Sequence, residues 1–404
     1  MCPPPLTSRT GVRWMPEPRE RRLAAIDVRA GAAMESQSGL QMLRPRIYGA
    51  VEEAPRANVG RHSGRVGAIV MHPTSNFMGH YLIAPLAARG ISCLGLNSRF
   101  AGNDTVLVME RVLQDLGAGV KFMREALGCD RVVLVGNSGG AALAATYQAE
   151  AERFTATTLA CGDPSGLVAS DLPPVDGIAL CAAHEGRAHL LARWIDPAVV
   201  DEHDVLATDA SLDMYDARHW VDGPDRPPRY APAFLERFVA AQRARRDRIE
   251  ARVRARLAEL RATAHGPRDE AFVVHRTHAD PRCLDLTLDA NDRKPGSVWG
   301  DARAVNFAAN AMGRTTSLVA FLSQWSSASR AGGPENLART SVPVLLLTYT
   351  ADQSTFPSTR GAWLAAAPGR IRNVDIVGGD HYLAGRADLQ QRVADEIAAF
   401  AEAL

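Results

Sequence analysis

With 404 residues, 46% of them hydrophobic and 23% charged, the chain is long enough to bury a core without a disulfide or metal staple. Its 46 basic and 45 acidic residues leave a formal net charge of +1, which argues against a general binder of nucleic acid or membrane surfaces. No apolar run reaches the roughly 18 residues of a membrane span. The six cysteines form no CxxC pair and no zinc spacing, which fits a reduced, cytoplasmic setting.

The first thirty-odd residues are rich in Arg and Pro and lack the apolar centre of a secretory signal, and residues 1–45 read as a poorly ordered leader. From 46 to 184, short apolar runs alternate with amphipathic stretches. The runs are GAIVMH (67–72), ISCLGLN (91–97), RVVLVGN (131–137) and GIALCAA (177–183), and the stretches between them cover 79–89, 107–127 and 139–153. Each run is almost continuously apolar, as strands covered on both faces are. Over 185–335 the alternation stops. A Pro cluster (224–232), a long Arg-rich helical stretch (233–264) and several tryptophans mark this block as a helical insertion. Within it, residues 243–256 interleave Asp247 and Glu250 with arginines, the pattern of a solvated helix face. Strand signals return over 336–404, with PVLLLTY (343–349) and NVDIVGG (373–379) followed by helical stretches at 357–367 and 385–403. This order predicts a doubly wound, mostly parallel α/β sheet with helices on both faces and an inserted cap.

Chemistry concentrates where these strands end. Gly136-Asn137-Ser138-Gly139-Gly140 joins an apolar strand to a helix, and small residues on both sides permit the strained turn that lifts a serine above the sheet. The helix start beneath Ser138 supplies positive partial charge, and the Gly139 N–H is placed to donate to a developing oxyanion. A serine hydroxyl needs a base. His381 follows NVDIVGGD, and Asp352 follows PVLLLTYTA, so both loops are expected on the sheet edge that carries Ser138. Asp380, next to His381, is a rival acid. After GAIVMH comes His72-Pro73-Thr74-Ser75; Pro73 has no N–H, which leaves Thr74 as the second oxyanion donor with Ser75 behind it.

These pieces resemble the α/β-hydrolase superfamily. The quoted matches are HPTSNF (72–77), NSRFAGND (97–104), GNSGG (136–140), TADQSTFPS (350–358) and GGDHYL (378–383), within a core covering about 46–184 and 336–404. The resemblance implies an α/β-hydrolase fold and hydrolysis at an acyl carbon through an acyl-enzyme. Ser138 would be nucleophile, His381 base and Asp352 the acid that orients it. Two features depart from the pattern: Pro73 replaces the usual glycine, and the insertion at 185–335 exceeds a typical cap. Segments 182–199 and 297–308 are similar to bacterial hydrolases of unsettled substrate.

The cap is expected to cover Ser138. Trp194, Trp299 and Trp325 either form its own core or wall an apolar or aromatic acyl pocket. His72, Ser75, His184 and Arg187 are placed near the mouth, and Arg187 either holds a substrate carboxylate or makes a surface salt bridge. The leading expectation is an esterase or lactonase for a small to medium organic substrate, with no cofactor and no metal. A C–C bond hydrolase, an amidase or an acyltransferase would share the triad, and a non-catalytic binding protein would keep the shell. No nucleic-acid or membrane partner is expected; a homodimer stays open.

Overall fold

The structure, a computed structural model, describes residues 20–29, 46–54 and 65–404. Six apolar runs become parallel strands: β3 (Val66–His72), β4 (Ile91–Asn97), β5 (Arg131–Asn137), β6 (Gly177–Cys181), β9 (Val344–Tyr349) and β10 (Ile371–Ile376). Two earlier strands, β1 (Arg22–Asp27) and β2 (Arg46–Glu52), add antiparallel at one edge, giving the order β1-β2-β4-β3-β5-β6-β9-β10. The short pair β7 (Ala271–Val273) and β8 (Thr315–Ser317) stands apart in the insertion.

Successive residues of the central strands feed two separate cores. Ile69, Met71, Leu134 and Leu346 face one side, where α2 (Met109–Lys121), α3 (Gly139–Glu152) and α9 (Pro357–Ala366) cover them. Ala68, Val70, Val133 and Leu345 face the other, under α1 (Ile83–Ala88) and α10 (Ala387–Glu402). Burial on both faces is why these strands show no polar alternation.

The expected leader needs correction. Residues 1–19 and 30–45 lie outside the described residues, but 22–27 form strand β1. An edge strand with one covered face needs only alternate apolar side chains, here Ala24 and Ile26. Arg29 holds its end through Asp171 at 2.9 Å.

The insertion is also less helical than expected. It contains α4 (Arg187–Trp194), α5 (Pro232–Ala262), α6 (Ala302–Phe307) and α7 (Leu318–Gln324), with short turns and the β7–β8 pair between them. The small helix α8 (Gly333–Leu337) then packs back towards α3. Along the 31-residue α5, Phe234, Phe238, Ile249, Val253, Leu257 and Leu260 form a single buried stripe. Arg245 lies in that stripe at 1% exposure, so this part of the arginine run is not solvated. Its guanidinium makes two 2.7 Å bonds to Glu202 and caps the carbonyls of Asp196 (2.6 Å) and His275 (2.7 Å). Such satisfaction is what a buried charge requires. Among the described residues, no helix is long and apolar enough to cross a membrane.

Candidate active site

Strand β5 ends at Asn137, and α3 begins at Gly139. Between them Ser138 takes φ 56° and ψ −123°, a conformation costing about 1–3 kcal/mol that the surroundings must impose. They do so by contact. A Cβ at Gly140 would sit 2.1 Å from the Met71 carbonyl oxygen, and one at Gly136 would sit 2.6 Å from Ala141. Only glycine allows the helix to approach β3 and β5 this closely. Ser138 N–H donates to Cys181 O (2.9 Å) and His184 N–H donates to Ser138 O (3.2 Å), which fixes the elbow against the end of β6.

The loops that carry Asp352 and His381 leave β9 and β10, parallel neighbours of matched register. Ala351 N–H donates to Gly379 O at 2.9 Å, and Gly378 N–H to Thr350 Oγ1 at 2.9 Å, so the two loops hold one another. The result is a chain of contacts: Ser138 Oγ to His381 Nε2 at 3.0 Å, and His381 Nδ1 to Asp352 Oδ2 at 2.8 Å. Asp352 is fully buried and also accepts from Ser354 N–H (2.7 Å), Thr355 N–H (3.1 Å) and Thr355 Oγ1 (2.8 Å). Burial by itself would raise its pKa. The neighbouring His381 charge and hydrogen bond, with Thr355, outweigh that and hold the carboxyl below its usual range. Asn291 Nδ2, from the insertion, donates to the Asp352 carbonyl at 2.8 Å. The rival Asp380 is exposed at the surface, and it is Asp352 that reaches the imidazole.

Above the serine lies a cavity of about 910 Å³. Its floor includes His72, Ser138, Gly139, His184 and His381; Phe77, Tyr81, Trp299 and Tyr382 give it aromatic walls, and Val298, Val305 and Met312 of the insertion add aliphatic ones. His184 accepts or donates at Ser354 Oγ (2.9 Å), its ring centre 5.3 Å from that of His381. Burial, then the His381 charge, push its pKa down to about 3, so it is neutral.

Several expected positions resolve differently. Trp299 and Ser75 line the cavity, whereas Trp194 and Trp325 do not. Trp194 stands a layer behind, edge-on to His184 and Trp299, its indole N–H on Asp280 at 3.1 Å. Trp325 is buried in the core of the insertion with Phe321 and Val253. Arg187 lines the cavity, as expected, but it is not a surface ion pair. It is 6% exposed, bonded to Asp104 Oδ2 (2.9 Å), Thr74 Oγ1 (2.8 Å) and Gln324, with its guanidinium over the Trp325 ring.

Thr74 also departs from expectation. Its N–H donates to His72 Nδ1 at 3.1 Å, and the Ser75 N–H donates to the same nitrogen at 3.0 Å. The His72 ring folds over its own loop and occupies both amides. Residues that sequence reasoning passed over include Ser354, Asn291, Asp104 and His278, whose ring centre lies 5.0 Å from that of Trp194 and 4.6 Å from that of Trp299. Each acts through a contact distant in sequence, and no local spacing announces it.

No family model matches the chain, and no curated protein matches it by sequence. Solved structures do. A hypothetical protein from Pseudomonas aeruginosa superposes with a TM-score of 0.51 at 14% identity, over 98% of this chain and 99% of that one. An esterase domain from Rhodothermus marinus gives 0.43 at 13% identity, over 94% and 98% of the two chains. A monoacylglycerol lipase from Paleococcus ferrophilus gives 0.41 at 14%, over 88% and 98%. At such identities the likeness concerns architecture alone. With its mostly parallel eight-stranded sheet, helices on both faces and a serine elbow after β5, the chain has the α/β-hydrolase fold.

Proposed function

We propose that the protein is a serine hydrolase that cleaves a carboxylic ester or lactone through an acyl-enzyme on Ser138. The observation that carries this reading is the 3.0 and 2.8 Å relay from Ser138 through His381 to Asp352 at the floor of the cavity. His381 Nε2 takes the hydroxyl proton as Ser138 Oγ adds to the acyl carbon, and returns it to the departing alcohol oxygen. Water then repeats the sequence on the acyl-enzyme. Asp352, kept ionised, holds the Nδ1–H tautomer and stabilises the imidazolium. Gly139 is the first residue of α3, so its N–H has no acceptor within the helix and is available to the oxyanion.

A cavity of about 910 Å³ with aromatic and aliphatic walls suits a small to medium apolar or aromatic substrate. Arg187 lines the cavity while its guanidinium bonds Asp104, Gln324 and Thr74, so this reading assigns it no substrate carboxylate. The test is labelling with a fluorophosphonate followed by peptide mass mapping. Modification at Ser138 that disappears in His381→Ala is expected. A folded, unlabelled wild-type protein, also inert to small aryl esters, would sink the reading.

A further inference from the structure

We propose that the His72 imidazole, through its Nε2–H, is the second oxyanion donor, in place of a backbone amide from its own loop; this rests on Ser138 being the nucleophile.

Three observations carry it. The first concerns what the loop can still donate. Pro73 has no N–H, and the amides of Thr74 and Ser75 both point at His72 Nδ1, at 3.1 and 3.0 Å. The second concerns the tautomer. A nitrogen that accepts two N–H donors carries a lone pair, so the proton of the neutral ring sits on Nε2. The third is position. The ring lines the cavity beside Ser138, and a Cβ built on Gly139 would come within 2.8 Å of Nε2. The proton-bearing edge of His72 thus lies against the residue whose N–H is the first oxyanion donor.

The loop is braced to keep the ring there. Ser98 Oγ donates to the Pro73 carbonyl at 2.5 Å, and Gly102 N–H donates to the Thr74 carbonyl at 2.7 Å. Arg187 Nη2 donates to Thr74 Oγ1 from the other side. Burial, and after it the nearby Arg187 guanidinium, hold the His72 pKa well below its usual value. The ring therefore stays neutral at working pH, and a neutral imidazole is a competent hydrogen-bond donor to a developing oxyanion. No proton is transferred: Nε2–H shortens its bond to the oxygen as charge builds there, and lengthens it as the carbonyl re-forms.

The experiment compares the rate of Ser138 phosphonylation by a fluorophosphonate in the wild type, in His72→Phe and in Ser138→Ala. If the inference holds, His72→Phe reacts about 10²- to 10³-fold more slowly. With a p-nitrophenyl ester, kcat falls by a similar factor while KM changes little. Equal rates in a His72→Phe protein that melts like the wild type overturn the inference and leave the hydrolase reading standing. No reaction of the wild type overturns both. A second measurement needs no variant: the imidazole N–H signals of the 15N-labelled wild type, assigned through the His72 backbone, before and after phosphonylation. Protonation at Nε2 with a downfield shift in the adduct is expected, since the phosphonyl oxygen then occupies the oxyanion position. Protonation at Nδ1, or an Nε2–H signal that does not move, overturns the inference.

Discussion

The sheet edge and the insertion meet at one cavity but reach their order by different routes. At the sheet edge, backbone decides: paired strands β9 and β10 bring two loops together, and glycines at 136 and 140 allow the approach that strains Ser138. In the insertion, side chains decide. Outside the long α5 its regular structure is short, and apolar clusters around Phe321 and Phe238, with the bonds of buried Arg245, hold it in place. The candidate reacting groups thus stand on the part with the least freedom, while the insertion adds only part of the pocket wall, through Val298, Trp299, Val305 and Met312.

This contrast can be broken, or sharpened, by substitution. The largest effect is expected from Ser138→Ala, which should lower kcat by about 10⁴- to 10⁶-fold with an unchanged melting temperature, read by ester hydrolysis and calorimetry. Asp352→Asn should cost roughly 10⁴-fold in kcat by favouring the wrong imidazole tautomer, while Asp380→Asn leaves the rate near wild type; the reverse result would reassign the acid. In the insertion, Phe321→Ala removes a fully buried ring and should cost about 3–5 kcal/mol in urea unfolding. An insertion ordered mainly by backbone would tolerate it.

Acid should test the cavity floor and the insertion together. His184 and His278 are buried and titrate near 3 in the folded protein, chiefly through burial, whereas an unfolded histidine titrates near 6.5. Between those values the unfolded chain binds more protons than the native one. Stability is therefore unaffected above about pH 6.5 and falls as the pH drops through the window, by up to about 1.4 kcal/mol per pH unit for each histidine. His278→Phe should flatten the dependence of the urea midpoint on pH; an unaltered slope would remove this histidine from the account. The smallest effect is expected at the cavity wall, where Trp299→Ala should raise KM for an aryl ester by up to about 10-fold while kcat and unfolding stay close to wild type.

Where the sequence was informative, a local pattern coincided with a physical requirement. The run RVVLVGN followed by GNSGG predicted both β5 and the elbow, because burial on two faces and a strained turn each leave a compositional trace. Strand β1 leaves a fainter one: its single covered face needs only Ala24 and Ile26, and the flanking arginines mask the alternation. The three tryptophans look alike in sequence, yet Trp299 lines the cavity, Trp194 stands behind it and Trp325 is buried elsewhere. Their sorting depends on how segments 194–325 fold over one another. The position of its amide predicts Thr74 as a donor; the folding of His72 over that amide is a rotamer choice that no spacing encodes.

Arg187 has a consequence for modularity. Its guanidinium joins Thr74 and Asp104 of the core to Gln324 of the insertion and lies over the Trp325 ring. A grafting experiment that exchanged residues 188–335 for another cap would strand this cation inside the protein with half its partners gone, an arrangement that costs several kcal/mol. The seam between the two parts is therefore not a neutral boundary. A successful chimera would need either a replacement for Gln324 and Trp325 or an uncharged side chain at 187, and cap diversification in this architecture would have to proceed as paired changes across that seam.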